Sequence, residues 1–217
     1  FEYEGLRPMV DVLTAAGYAP RFLDRAACCG LTWISTGQRD GARRQLRHAL
    51  DVLHPIIAAG IPLVGVEPSC VAVWRSDAAE LLDDPRVDEV AGGVRTLAEV
   101  LTEAEWTPDL TGVEVIAQPH CHHASVLGWA TDRALLERAG ATVHTVSGCC
   151  GLAGNFGMER GHYEVSVAVA GNDLLPALAA HPDAVVLADG FSCRLQTHQL
   201  SGRRAVTLAE LLQISRA

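Results

Sequence analysis

The chain has 217 residues, a net charge of −9 and an apolar fraction of 49%. That is enough apolar material for one large domain or two small lobes without disulfide staples, while the acidic balance argues against a nucleic-acid surface, which needs clustered basic residues. No apolar run approaches the roughly 18 residues of a membrane span, no signal peptide is visible, and all 17 basic residues are arginine, which reads as genome composition rather than chemistry. The sequence opens on Phe1 and not on Met, so it is expected to be part of something longer.

Leu6, Val10 and Leu13 recur at helical spacing, so a helix is expected from Leu6 to Ala16, stopped by Gly17. Pro20 to Leu23 reads as a short strand. Ala27-Cys28-Cys29-Gly30-Leu31 follows it. Arg43 to Ala59 places Leu46, Leu50, Leu53 and Ile57 on one face of a longer helix, which Pro55 is expected to kink or divide. Ile61 to Val66 is a nearly continuous apolar run between Gly60 and Pro68, the pattern of a buried parallel strand. It ends in Glu67-Pro68-Ser69-Cys70, with a short helix expected from Val71. Thr96 to Leu101 reads as helix, and Thr107 to Gly112 as a linker.

The second half repeats this grammar. Val113 to Ala117 is a strand, followed by Gln118-Pro119-His120-Cys121-His122-His123. A helix is expected near Asp132, capped by Thr131 and stopped by Gly140. Thr142 to Val146 is a strand running into Ser147-Gly148-Cys149-Cys150-Gly151-Leu152. A long helix is expected over Gly161 to Ala180. Ala184 to Ala188 is a strand ending in Asp189-Gly190-Phe191-Ser192-Cys193. A last strand, Arg204 to Val206, precedes a helix from Leu208 to Ile214.

The repeat is explicit. Cys28-Cys29-Gly30-Leu31 returns as Cys149-Cys150-Gly151-Leu152, and Gly17 and Ser69-Cys70 return as Gly140 and Ser192-Cys193, all about 120 residues later. Thr96-Leu97-Ala98-Glu99 returns as Thr207-Leu208-Ala209-Glu210. The order predicts an α/β fold of two pseudo-repeated halves, 1–106 and 107–217, with mostly parallel sheets and flanking helices. The counterpart of the strand before Cys121 would fall before Phe1, so the first half is expected to be truncated at its N-terminus and to lack its first strand.

In parallel α/β sheets ligands gather beyond the carboxyl ends of the strands. Cys121, Cys149, Cys150 and Cys193 all follow strands there, and Cys28, Cys29 and Cys70 are their first-half counterparts. Seven cysteines without a secretory signal favour metal or redox use over a disulfide framework. The flanking glycines let backbone N–H groups approach the sulfurs. Three readings of the four second-half cysteines stay open: an iron–sulfur cluster, for which Cys₄ is the usual set; zinc, which prefers two close pairs; and core thiols or a redox disulfide. His120 and His122 beside Cys121 are possible further ligands or proton carriers, and His123 shares that loop. Gly151, Gly154 and Gly157 do not match a dinucleotide fingerprint, and the chain has no P-loop lysine. Glu159, Arg160 and His162, with Glu164, form a charged group suited to substrate or partner docking. His48, His54, His144, His181 and His198 read as isolated structural residues, and the tryptophans as scattered.

At these residues the chain resembles the cysteine-rich CCG domain. That domain occurs in heterodisulfide reductase, in the iron–sulfur subunits of glycolate oxidase and anaerobic glycerol-3-phosphate dehydrogenase, and at the end of FAD-linked D-2-hydroxyacid dehydrogenases or oxidases. Glu67 to Cys70, His120-Cys121-His122, Gly148 to Glu164 and Asp189 to Arg194 look most like the last group. The resemblance implies an oxidoreductase component that carries electrons from flavin to a quinone or another acceptor and is not active alone. It implies an iron–sulfur cluster, of [4Fe–4S] type, on Cys121, Cys149, Cys150 and Cys193, with a degenerate second site at Cys28, Cys29 and Cys70. FAD would sit on a separate domain or subunit, oxidising a lactate-, glycolate- or 2-hydroxyglutarate-type substrate, beside a ferredoxin-like iron–sulfur module. The setting would be cytoplasmic, with peripheral attachment at the inner membrane face as an option. The alternative is a partner-docking module stabilised by zinc or thiols and without redox activity. The second cysteine that the reductase carries close to the positions of Cys70 and Cys193 is missing here, which argues against a non-cubane cluster.

Overall fold

The computed structural model describes residues 6–214. The first half runs α1 (Leu6–Ala15), α2 (Leu31–Ser35), α3 (Arg39–Ala58), β1 (Leu63–Val64), α4 (Pro68–Ala72), a π-helical turn (Val73–Asp77), α5 (Ala78–Leu81), α6 (Arg86–Gly93), β2 (Val94–Arg95) and α7 (Leu97–Glu103). The second half runs β3 (Glu114–Ala117), a π-helical turn (His123–Leu127), α8 (Ala130–Arg138), β4 (Thr142–Thr145), α9 (Tyr163–Ala170), α10 (Leu174–Ala180), β5 (Val185–Leu187), α11 (Phe191–Ser201), β6 (Ala205–Val206) and α12 (Leu208–Ile214). The second-half sheet has the order β4-β3-β5-β6, and β1 and β2 form a separate pair. All described ladders are parallel. This is the α/β class that alternating strand and helix patterns demand.

Repeat logic explains the smaller sheet. By sequence offset β1 corresponds to β5 and β2 to β6. In the second half β3 is the strand against which both β4 and β5 pair. Among the described residues of the first half no strand takes that central place. The expected strand at Pro20–Leu23 is therefore not formed: residues 20–23 have no ladder to join, and Phe22 and Leu23 stand 67% and 40% exposed.

The halves share their largest core. Val12 and Leu13 of α1, Leu101 of α7, Leu135 of α8 and Leu208 and Leu211 of α12 lie in one buried cluster. Helix α1 packs on α12, and its counterpart α8 packs on α7, so each half lends a helix to the other's pair. A second cluster surrounds Leu46 and Leu50 of α3, and a third holds Leu152, Leu174, Cys150 and Cys193. Leu46 and Leu50 are fully buried, each contributing about 2 kcal/mol by leaving water.

The repeated Thr-Leu-Ala-Glu is a helix start written twice. Thr96 Oγ1 accepts from the Glu99 N–H at 3.3 Å while the Glu99 carboxylate accepts from the Thr96 N–H at 2.8 Å. Thr207 and Glu210 do the same at 3.2 and 2.7 Å. These reciprocal bonds satisfy two orphan amides at the start of each helix. Thr207→Ala is expected to cost about 1 kcal/mol, a fall in Tm of roughly 3 °C; an unchanged melting curve would mean that the second box adds nothing.

Other boundaries moved for identifiable reasons. Helix α3 continues through Pro55, which neither ends nor divides it. The expected helix over Gly161–Ala180 breaks into α9 and α10 at Gly171-Asn172-Asp173. Pro176 sits in the first turn of α10, where its missing N–H is not needed. The cap of α8 is Trp129 rather than Thr131. The helix expected from Val71 starts at Pro68, a residue well suited to a first turn. Helices α2, α6 and α11 and strand β2 carry too little periodicity to stand out. The linker residues are held in place: Leu110 is buried and donates its N–H to the Ala139 carbonyl at 2.7 Å.

Candidate metal centre

The second double cysteine hangs between β4 and α9, and its conformation is set by what it packs against. Gly151 has φ +88°, and a Cβ there would lie 2.1 Å from the Ser166 carbonyl oxygen of α9. Gly157 approaches the Ser166 side chain, which would lie 2.3 Å from an added Cβ, and Ser166 accepts a buried bond from Gln196 of α11 at 2.9 Å. Gln118, just after β3, is buried and donates to the Gly148 carbonyl at 3.0 Å. Gly190 leaves room for His120, whose ring would sit 2.3 Å from an added Cβ. These contacts lock together the loops after β3, β4 and β5.

The sulfurs converge accordingly. Cys121 Sγ lies 3.5 Å from Cys149 Sγ, and the Gly151 N–H donates to Cys149 Sγ at 3.3 Å. Cys150 and Cys193 lie in one buried cluster, and the thiols of Cys149 and Cys193 both act on Cys150. Cys193 lies in the first turn of α11. Cys150 and Cys193 are buried and Cys121 is exposed, so one side of the site faces solvent. The bonds from Cys121 and then Cys150 push the Cys149 thiol well down, and the same bonds push Cys121 and Cys150 up. Binding a cation there must displace thiol protons.

The first-half set is a reduced copy. Cys29 and Cys70 share a hydrogen bond at 3.0 Å, which brings Cys29 down to about 7 and pushes Cys70 up. The Gly30 N–H approaches Cys28 Sγ at 3.5 Å, and Gly30 has φ +75°. Cys28 is exposed. Glu67, just before Cys70, accepts from the Phe191 N–H at 3.0 Å at the start of α11. This carboxylate therefore ties the segment before Cys70 to the start of the helix that carries Cys193.

The remaining candidates divide. His120 packs over Gly190 and is pushed down, chiefly by burial. Its Nδ1 accepts the His122 N–H at 3.2 Å, and the rings meet edge-on at 5.3 Å. His162 stacks on Phe156 at 4.3 Å and lies 3.2 Å from the Glu159 carboxylate, which accepts from Asn155 at 2.8 Å. These residues brace the loop, while Arg160 is exposed.

Two groups escaped the sequence reading. His123 Nε2 meets Asp132 Oδ2 at 3.0 Å, both buried, beside a small cavity that Asp189 also lines. His144 and His181, read as isolated, both contact Glu114. No local spacing announces either group, because each is assembled from separate elements.

The family model for the cysteine-rich domain, CCG, matches residues 4–73 and 130–197. D-2-hydroxyglutarate dehydrogenase of Pantoea ananatis (strain AJ13355) is 30% identical over 156 residues, covering 70% of this chain and 15% of that protein. The protein of that name in Escherichia coli (strain K12) is 31% identical over 156 residues, again 70% of this chain and 15% of the relative. One subunit of the anaerobic glycerol-3-phosphate dehydrogenase of Escherichia coli (strain K12) is 26% identical over 206 residues, 91% of this chain and 52% of that subunit. The chain thus spans about half the length of one relative and a small part of the others.

Proposed function

Because this chain belongs to the cysteine-rich CCG domain family, we propose that it is the electron-transfer part of a FAD-linked D-2-hydroxyacid oxidoreductase. The supporting observation is the convergence of Cys121, Cys149, Cys150 and Cys193 from three loops at one end of the sheet. Soft thiolate donors suit iron–sulfur clusters, zinc or copper(I). N–H donation to sulfur and a partly buried shell fit an iron–sulfur cluster. A bound [4Fe–4S] cluster would supply one-electron transfer between a flavin and a quinone or other acceptor. All four cysteines would bind as thiolates, with the Gly151 amide donating to Cys149 and Cys150 and Cys193 on the buried side. Cys28, Cys29 and Cys70 form the counterpart in the first repeat, with the repeats taken as 1–106 and 107–217.

The relatives are named dehydrogenases, and about half or more of each lies outside the stretch matched here. The flavin, the hydroxyacid site and a ferredoxin-like module would reside there, with Glu159, Arg160 and His162 as a docking edge. No helix among the described residues is long and apolar enough to cross a membrane, which is compatible with a cytoplasmic or peripheral setting.

One observation favours a second reading. A tetrahedral zinc with bonds of about 2.3 Å keeps its sulfurs roughly 3.8 Å apart, and Cys121 and Cys149 lie at 3.5 Å. A four-iron cluster requires these side chains to splay. Anaerobic purification followed by iron, zinc and acid-labile sulfide analysis separates the two. Iron with matching sulfide is expected; stoichiometric zinc without sulfide would overturn the electron-transfer reading in favour of a zinc-stabilised docking module.

A further inference from the structure

A second donor set lies away from the cysteines. Glu114 is the first residue of β3, His144 lies in β4, paired across the ladder with Ile116, and His181 follows α10. His144 Nε2 and His181 Nδ1 each lie 2.8 Å from the same Glu114 Oε1. The two imidazoles stack with centroids 3.9 Å apart and planes 27° apart, and both reach the same carboxylate oxygen. The three ligand atoms lie within 4.8 Å of one another. All three residues are partly exposed, which leaves a route for an ion from solvent. The His181 contacts, then burial acting the opposite way, then the His144 contacts set the Glu114 carboxyl, with the net effect of holding it below its usual range and keeping it an anionic donor.

The donors are also held in place. Glu114 and His144 sit on paired strands. The loop carrying His181 is clamped by Arg203, which donates to the Leu178 carbonyl at 2.9 Å and the His181 carbonyl at 3.1 Å and also reaches the Ala184 carbonyl. Donors fixed on rigid elements lose little freedom when an ion arrives. A tetrahedral ion about 2.0–2.1 Å from each donor sets them roughly 3.3 Å apart, so the 2.8 Å contacts would open by about half an ångström and the stacked rings would turn apart to face the ion.

We propose that Glu114, His144 and His181 form a binding site for a divalent transition-metal ion of the zinc class. Two imidazoles and one carboxylate are a common zinc set and leave the fourth position to water. The ion would join β3, β4 and the start of the β5 arm at the end of the sheet opposite the thiols.

Cobalt(II) is the probe, because thiolate ligation gives intense near-ultraviolet charge-transfer bands that histidine and carboxylate ligation lacks. Titrated anaerobically into the purified chain, it should fill one site showing only weak visible bands. His144→Ala, His181→Gln and Glu114→Gln should each weaken that site on the order of a hundredfold, since even outer partners of metal ligands are worth about 10- to 100-fold. Circular dichroism identifies any variant that fails to fold, and three substitutions on different elements keep the test open. If every bound cobalt shows thiolate bands, or if affinity is unchanged in the folded variants, the proposal is overturned and the trio is a shared hydrogen bond. The thiolate-bound cobalt and the sulfide content report on the cysteine site separately.

Discussion

Gly151→Ala is expected to destabilise the chain by about 3 kcal/mol, a fall in Tm of roughly 10 °C. Two costs add. The position has φ +88°, and a left-handed conformation costs a residue with a Cβ roughly 1–2 kcal/mol. The added methyl would also lie 2.1 Å from the Ser166 carbonyl oxygen, a backbone atom of α9 that cannot swing aside; forcing extra carbon into a packed site costs about 1–3 kcal/mol more. Gly154→Ala is the control. It has φ +71° and nothing within 4 Å of the added carbon, so only the conformational cost applies, about 1–2 kcal/mol. Thermal and denaturant unfolding of both variants measures the difference. Equal losses would show that the loop does not depend on its close approach to α9, and that the glycine is there for its dihedral alone.

That contrast shows what the sequence could and could not reveal. The glycines beside the cysteines are visible as letters, and their role near sulfur follows from chemistry. The partner of Gly151 is not visible, because Ser166 sits on another element and looks like any serine on a helix. The α/β order was readable because parallel strands are nearly continuous apolar runs, as at residues 184–188; the run at 61–66 misled in part, forming only the two-residue, half-buried β1 and leaving Ile61 and Val66 exposed, because β2 is its one partner among the described residues. Pro20–Leu23 misled because strand propensity says nothing about whether a neighbouring strand exists. The reciprocal packing of α1 on α12 and α8 on α7 was hidden for a similar reason: each helix shows an apolar face but not which half covers it. The cysteine set was legible because a parallel sheet sends every strand end to the same edge. The Glu114, His144 and His181 set was not, since a glutamate opening one strand and histidines on two other segments share no spacing rule.

Cys149→Ser should lower bound iron and acid-labile sulfide by about tenfold or more, with the fold retained. Serine has nearly the shape of cysteine, and Cys149 is only partly buried, so packing loses little. What goes is the sulfur at the centre of the set: Cys121 lies 3.5 Å away and the Gly151 amide points at it from 3.3 Å. A serine hydroxyl does not replace a thiolate as a ligand for iron, because the soft sulfur donor is lost. Cys28→Ser should have a smaller effect, because Cys28 is exposed and belongs to a set of three. Iron, zinc and sulfide measured on both variants after anaerobic purification decide the matter. A loss of iron in Cys28→Ser with none in Cys149→Ser would move the occupied site to the first repeat and make the second the degenerate copy. Loss in both would mean that both repeats hold iron.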